Sequence, residues 1–313
     1  MDIVLLFPGQ GSQKPGMARD LADAYPAARE VFERADAALG FSLSRLCFEG
    51  PADELTLTQN AQPALLAHGV AVWAATRDAI GSSVVAAAGH SLGEFTAYAA
   101  AESFDLAEAI RLVRRRGELM YESGVVRPGA MAAVLGDVDR PIEEICEQAT
   151  RDAGLVVPAN YNAPGQLVVS GETPGVERAM ALCKVAGAKR VVRLNVSGAF
   201  HSPLMESASS GLAQALDAVA FADPRFTVYA NVDGSAVTDA RRARALLLRQ
   251  LSSPVRWIDE VRAIATRYPD ALYIEMGPGS VLTGLVRKIA PTVRTMTCGT
   301  VGELSQLAEL ATA

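Results

Sequence analysis

The chain has 313 residues, of which 50% are apolar, 20% charged and 6% aromatic, a balance that excludes a disordered or collagen-like polymer. With 29 Lys and Arg against 35 Asp and Glu, the net charge of -6 gives no global attraction for nucleic acid or anionic lipid. The length predicts one large domain or two, with a core to match.

The run Ile3 to Phe7 is apolar throughout and ends in Pro8-Gly9, which predicts a buried strand of a parallel sheet closed by a loop. No basic segment precedes it and Pro8 comes early, so neither signal peptide nor membrane anchor is expected. Helical patterns follow over about 17–39 and 63–80, and Val84 to Ala88 reads as a second short strand. A helix rich in small residues starts at Leu92, so Gly89 to Gly93 falls in a tight strand-to-helix turn. Asp105 to Glu122 continues as a basic amphipathic helix.

The middle of the chain predicts strand 130–135, helix 139–153, strands 155–161 and 166–170, helix 173–187 and strand 190–196. This βαββαβ order, with Pro164-Gly165 turning between the central strands, resembles a ferredoxin-like unit. A helix after Pro203, strands near 226–230 and 272–275, and a helix after Gly277-Pro278-Gly279 resume the α/β pattern. The expected organisation is a large α/β domain from 1–126 and 198–313 with residues 127–197 inserted. Cys47, Cys146, Cys183 and Cys298 lie far apart with no CxxC pair, which predicts reduced, buried thiols in a cytoplasmic protein and no metal site.

Gly89-His90-Ser91-Leu92-Gly93 is a GxSxG sequence in the context a nucleophile elbow requires. Such a turn lifts the serine hydroxyl to a helix N-terminus, where unpaired N–H groups favour developing negative charge. A serine needs a base, and the chain has three histidines. His90 adjoins the serine and should point away from it; His68 sits mid-helix on a stripe with Leu65 and Val72. His201, in the loop Ser197 to Pro203, is the base by elimination and context. No carboxylate between Ser91 and His201 stands out as a third member, so a dyad with a carbonyl acceptor is plausible. Among Arg114, Arg115 and Arg116, at least one must face the apolar side of its helix, where its fork would suit a carboxylate.

FPGQGSQ at 7–13, GHSLGE at 89–94, RLVRRRGELM at 111–120, GAMAAV at 129–134, ANYNAPGQLVVSG at 159–171, SGAFHSPLM at 197–205 and EMGPGSVLTGL at 275–285 together resemble the malonyl-CoA:acyl carrier protein transacylase family. The resemblance implies an α/β-hydrolase-like large domain with the ferredoxin-like insert, and an active site in the cleft between them. It implies Ser91 as nucleophile, His201 as base and Arg116 as the clamp on the malonyl carboxylate. Backbone N–H groups of Leu92 and Gln10 would form the oxyanion hole, which suits a Gly9-Gln10-Gly11 turn lacking the third glycine of a dinucleotide fingerprint. Gln250 matches the residue whose main-chain carbonyl orients the histidine, although a helix C-terminal residue before Pro254 reads the same way. Phe200 and Met120 would line the acyl pocket; plain core packing also suits Met120. One departure is Glu102, where the family usually has glycine, which puts the end of the elbow helix in question.

The implied reaction is ping-pong transfer of malonyl from coenzyme A through Ser91 to the phosphopantetheine thiol of acyl carrier protein, with malonyl-CoA and that carrier as partners and no metal or redox cofactor. The GxSxG elbow alone also suits a serine hydrolase or thioesterase, and a non-catalytic carrier-docking module is a third reading. Fatty-acid synthesis, polyketide synthesis and malonate decarboxylation would all use such an activity.

Overall fold

All five residues of strand β1 (Ile3–Phe7) are buried, as a central strand covered on both faces requires. The computed structural model describes the backbone of residues 1–312 and the side chains of 1–310; residue 313, the end of the expected second segment, lies outside the described residues. The further strands are β2 (Val84–Gly89), β3 (Gly129–Leu135), β4 (Val156–Ala163), β5 (Gln166–Glu172), β6 (Arg190–Arg193), β7 (Thr227–Tyr229), β8 (Ala236–Val237), β9 (Leu272–Met276) and β10 (Arg294–Cys298). One sheet has the order β10-β9-β1-β2-β7-β8, parallel except for β8. The other is antiparallel in the order β4-β5-β3-β6.

Alternation along β1 builds two cores. Leu5 and Phe7 enter one apolar cluster and Val4 and Leu6 the other, on opposite faces of the six-stranded sheet. The four-stranded sheet has its own core, where Ala132 and Val134 meet Ile145 and Cys183. The two units are joined by backbone: Val255 N–H donates to Ala159 at 2.8 Å, and Tyr161 N–H donates to Val255 at 2.9 Å. The four cysteines are free and buried, and among the described residues no helix is long and apolar enough to cross a membrane.

Several element ends differ from the sequence expectation for physical reasons. The helix expected over 17–39 is two, Arg19–Ala24 and Pro26–Leu39, because Tyr25 before proline is extended (φ -120°, ψ 115°) and Pro26 opens a new helix. The helix expected from Pro63 begins earlier, as Thr58–Ile80. Pro63 cannot donate to the Gln59 carbonyl one turn back, and Arg114 Nη1 donates there instead at 3.2 Å. Strand β6 stops at Arg193 rather than 196, and Leu194 to Val196 turn into a cavity wall. Glu102 adopts the left-handed geometry expected of a glycine at that helix end, with φ 58°, and its carboxylate pairs with Arg225 at 2.9 Å.

The elbow depends on absent side chains. A Cβ on Gly93 would lie 1.9 Å from the Phe7 carbonyl oxygen, and one on Gly89 would lie 2.0 Å from the Gly93 backbone. Gly284, inside the helix Val281–Ile289, has open space instead. Gly93→Ala should therefore destabilise by about 1–3 kcal/mol or more, and Gly284→Ala should stabilise by about 0.5–1 kcal/mol. Urea unfolding of the two variants measures both signs.

Candidate active site

Strand β2 ends at Gly89 and the helix Leu92–Ala100 begins two residues after His90, leaving Ser91 in the turn with φ 53° and ψ -105°. His201 is also left-handed, with φ 57°, just before the 3-10 turn Pro203–Ala208. Ser202 fixes that loop by donating to the Ala199 carbonyl at 2.6 Å and accepting from Leu204 N–H at 3.3 Å. Of the four described non-glycine residues with positive φ, two are therefore this serine and this histidine. Such conformations cost free energy and persist where surrounding structure enforces them, so their coincidence singles out a candidate site.

Ser91 Oγ lies 2.8 Å from His201 Nε2. The other ring nitrogen, Nδ1, lies 3.0 Å from the Gln250 carbonyl and 3.2 Å from that of Ser253. Carbonyls only accept, so Nδ1 carries the proton and Nε2 is left as the acceptor for the serine hydroxyl. Burial, and then the charge of Arg116, push His201 down to about 3, so its imidazole is neutral at ordinary pH.

Arg116 projects inward from the helix Leu106–Val126 and is buried, whereas Arg115 reaches outward to Glu118 and Glu122. Its Nη1 donates to Gln62 Oε1 at 2.7 Å; its Nη2 donates to Gln250 Oε1 at 2.9 Å and to Ser91 Oγ at 3.1 Å. The guanidinium also stands 5.1 Å from the Phe95 ring centroid. Burial lowers its pKa to about 10 while Glu94 opposes the shift, so it stays charged at neutral pH.

A cavity of about 310 Å³ is lined by Ser91, His201, Arg116, Gln10, Leu92, Met120 and Phe200 among others. Gln250 sits behind the cavity wall, joined to His201 through its carbonyl and to Arg116 through its side chain. Met120 Sδ accepts from Gln62 Nε2 at 3.3 Å. The N–H of Leu92 opens a helix and has no intrahelical acceptor. His90 turns away from the serine, to Asn162 Oδ1 on β4 at 2.8 Å, and His68 bonds the Gly299 carbonyl at 2.9 Å. A larger cavity, about 700 Å³, lies beside His68 and Gly279 and contains none of Ser91, Arg116 and His201. Arg287 bonds Thr295 and Lys288 bonds Gln166, so neither cation is paired to a carboxylate in these contacts. Among the described residues, no group of three or more His, Cys, Asp or Glu is placed to hold a metal ion.

Four residues that sequence reasoning missed complete the surroundings. Gln62 holds Arg116 from the helix Thr58–Ile80. Asn231 accepts the Ser91 N–H at 2.7 Å and donates to Gly89 and Glu260. Glu94 and Glu260 are fully buried carboxyls beneath the elbow; burial raises Glu94 to about 7 and Glu260 well above the ordinary value. Glu94 could have been suspected from its place inside the GHSLGE run, but Asn231 and Glu260 carry no local signal.

The lowered pKa values give a sign that can be checked. His68 sits at about 4 and His201 at about 3, so neither imidazole should titrate between pH 5.5 and 8, and burial lowers His90 from its ordinary value. Because the unfolded chain takes up those protons near pH 6.5, the folded state loses stability as pH falls below that value. Arg116→Ala removes a charge that depresses His201 and should move its titration upward. Imidazole proton resonances across pH, in the folded protein and the variant, measure both effects.

The acyl transferase domain family matches residues 4–306. The chain is 44% identical over 288 residues to the malonyl CoA-acyl carrier protein transacylase of Salmonella typhimurium, covering 92% of this chain and 93% of that one. It is 43% identical over 294 residues to the enzyme of the same name from Bacillus subtilis, covering 94% and 92%. Among solved structures, an acyl-carrier-protein-S-malonyltransferase from Bartonella henselae superposes with a TM-score of 0.95 at 41% identity, covering both chains fully. A malonyl-transacylase in complex with its type II PKS acyl-carrier protein superposes with a TM-score of 0.93 at 40% identity, covering 99% of this chain and 100% of that one.

Proposed function

On the premise that this chain belongs to the acyl transferase domain family, we propose that Ser91 and His201 carry out its transfer of malonyl from coenzyme A to acyl carrier protein, with Arg116 recognising the free carboxylate. The observation that carries this reading is a buried, charged guanidinium 3.1 Å from the hydroxyl of a serine bonded to a neutral imidazole. A thioesterase for neutral acyl chains has no use for that charge, and a docking module has no use for the dyad.

Ser91 Oγ attacks the malonyl thioester carbonyl as His201 Nε2 takes its proton. The oxyanion forms beside the N–H groups of Leu92 and Gln10, and Arg116 Nη2 turns from the serine oxygen to the malonyl carboxylate. The C–S bond breaks, and the coenzyme A sulfur leaves with the proton from His201. The phosphopantetheine thiol then gives its proton to Nε2 and attacks the acyl carbonyl, and Ser91 leaves with that proton. Phe200 narrows the acyl pocket beside His201; a single branching methyl changes preference by about 1–3 kcal/mol. The residues present supply every proton transfer in this scheme without a metal or redox group. The reading also treats 1–126 with 198–313 as an α/β-hydrolase-like unit, 127–197 as a ferredoxin-like insert and the cytoplasm as the place of action; the strand order β4-β5-β3-β6 supports the insert.

Brief incubation with malonyl-CoA should add one malonyl group, on Ser91, read by intact mass and peptide mapping; Ser91→Ala should take none. Loss of one partner of a buried charge pair costs about 2–5 kcal/mol, so Arg116→Ala should lower kcat/KM for malonyl-CoA by about 30-fold to several-thousand-fold. Acetyl-CoA lacks the carboxylate, so its kcat/KM should fall far less, and Arg115→Ala should leave the ratio unchanged. An unaltered ratio in folded Arg116→Ala would remove Arg116 from the assignment.

A further inference from the structure

The side chain of Gln250 faces two ways. Its Nε2 donates to Glu94 Oε2 at 2.7 Å and to the Ser91 carbonyl at 2.9 Å, which leaves Oε1 to face Arg116 Nη2 at 2.9 Å. An amide could equally present its NH2 to the guanidinium, and that orientation would set two donors against each other. What forbids it is the set of acceptors on the far side, Glu94 Oε2, the Ser91 carbonyl and, at 3.3 Å, Asn231 Oδ1, of which Glu94 is the closest. Glu94 Oε2 is held in turn by the Asn231 N–H at 3.1 Å, and Glu94 itself is fully buried.

We propose that Glu94 is a positioning residue for malonyl selectivity, fixing the Gln250 amide so that its oxygen holds Arg116 over the cavity. The inference rests on the proposed role of Arg116. It goes further, because Glu94 does not line the cavity and touches neither Ser91 Oγ nor His201 in the hydrogen bonds described. Gln250 also keeps the carboxylate one residue away from the guanidinium. A direct ion pair would occupy the fork that an incoming carboxylate needs, whereas an amide oxygen orients the fork and leaves its charge uncancelled.

The test compares Glu94→Leu, Glu94→Asp and Glu94→Gln, each checked for folding by thermal melting, by kcat/KM for malonyl-CoA and acetyl-CoA. A neutral fluorophosphonate that labels Ser91 reports the serine and histidine without calling on Arg116. Leu removes the acceptor, and Asp keeps the carboxyl group but withdraws it by one methylene, so the proposal stays testable if Leu fails to fold. Both should lower the malonyl-to-acetyl ratio by about tenfold or more, mainly through KM for malonyl-CoA, with labelling within about threefold of the parent. Gln keeps an oxygen acceptor for the two donors and should restore most of the ratio. An unchanged ratio in the Asp variant, parallel loss of both transfers and labelling, or a Gln variant as unselective as Leu would each overturn it. A parent protein that takes no malonyl at all would instead defeat the functional reading beneath it.

Discussion

A buried guanidinium must be satisfied by what surrounds it, and the cavity is arranged around that demand. Withdrawing an ion from water costs several kcal/mol even after relaxation, so Arg116, 1% exposed, depends on the partners around it. Its Nη1 and Nη2 find the amide oxygens of Gln62 and Gln250 and the serine oxygen, and its plane meets the face of Phe95, while the buried Nε has no hydrogen-bond partner. None of these contacts is with a carboxylate. The charge is therefore oriented but not neutralised, and its field depresses His201 while remaining available to an anion.

The elbow supplies the second constraint, because a serine at φ 53° stays there only if the backbone around it cannot relax. Gly93 lets the helix Leu92–Ala100 press against the Phe7 carbonyl at the end of β1. Asn231 ties the turn from the other side, accepting from Ser91 N–H and donating to the Gly89 carbonyl at 2.7 Å each. His90, facing away from the Ser91 hydroxyl, bonds Asn162 on β4 and so links the turn to the antiparallel sheet. Ser91 is thus positioned by both sheets, one through backbone contact and the other through a side chain.

How much of this was legible from residues alone follows from the range of each interaction. The GHSLG turn is local: strand, turn and helix are adjacent in sequence, and apolar runs and glycines mark all three. The βαββαβ order was legible for the same reason, and the observed strand order agrees with it. Three consecutive arginines showed that one must turn inward, but the phase of a helix against its neighbours decides which, and only packing against Gln62 and Phe95 selects Arg116. Gln62, Asn231 and Glu260 come from separate segments with no motif between them, so no spacing rule joins them, and Gln250 was reached only through the family resemblance. Even the early start of the helix Thr58–Ile80 is a tertiary matter, since Arg114 supplies the hydrogen bond that Pro63 cannot.

The partners of His201 bear on why the proposed acyl-serine would wait for a thiol rather than fall to water. In a triad a carboxylate steadies the imidazolium as it forms, which strengthens the base. Here two carbonyls hold Nδ1 in place without contributing a full charge, and Arg116 stands nearby with the opposite effect. The result is a well-oriented but weak base. A thiol with a pKa of about 8.5 releases its proton to such a base far more readily than water, at about 15.7. On the proposed reading, weakness of the base discriminates between acceptors, because it slows hydrolysis by water more than it slows transfer to a thiol.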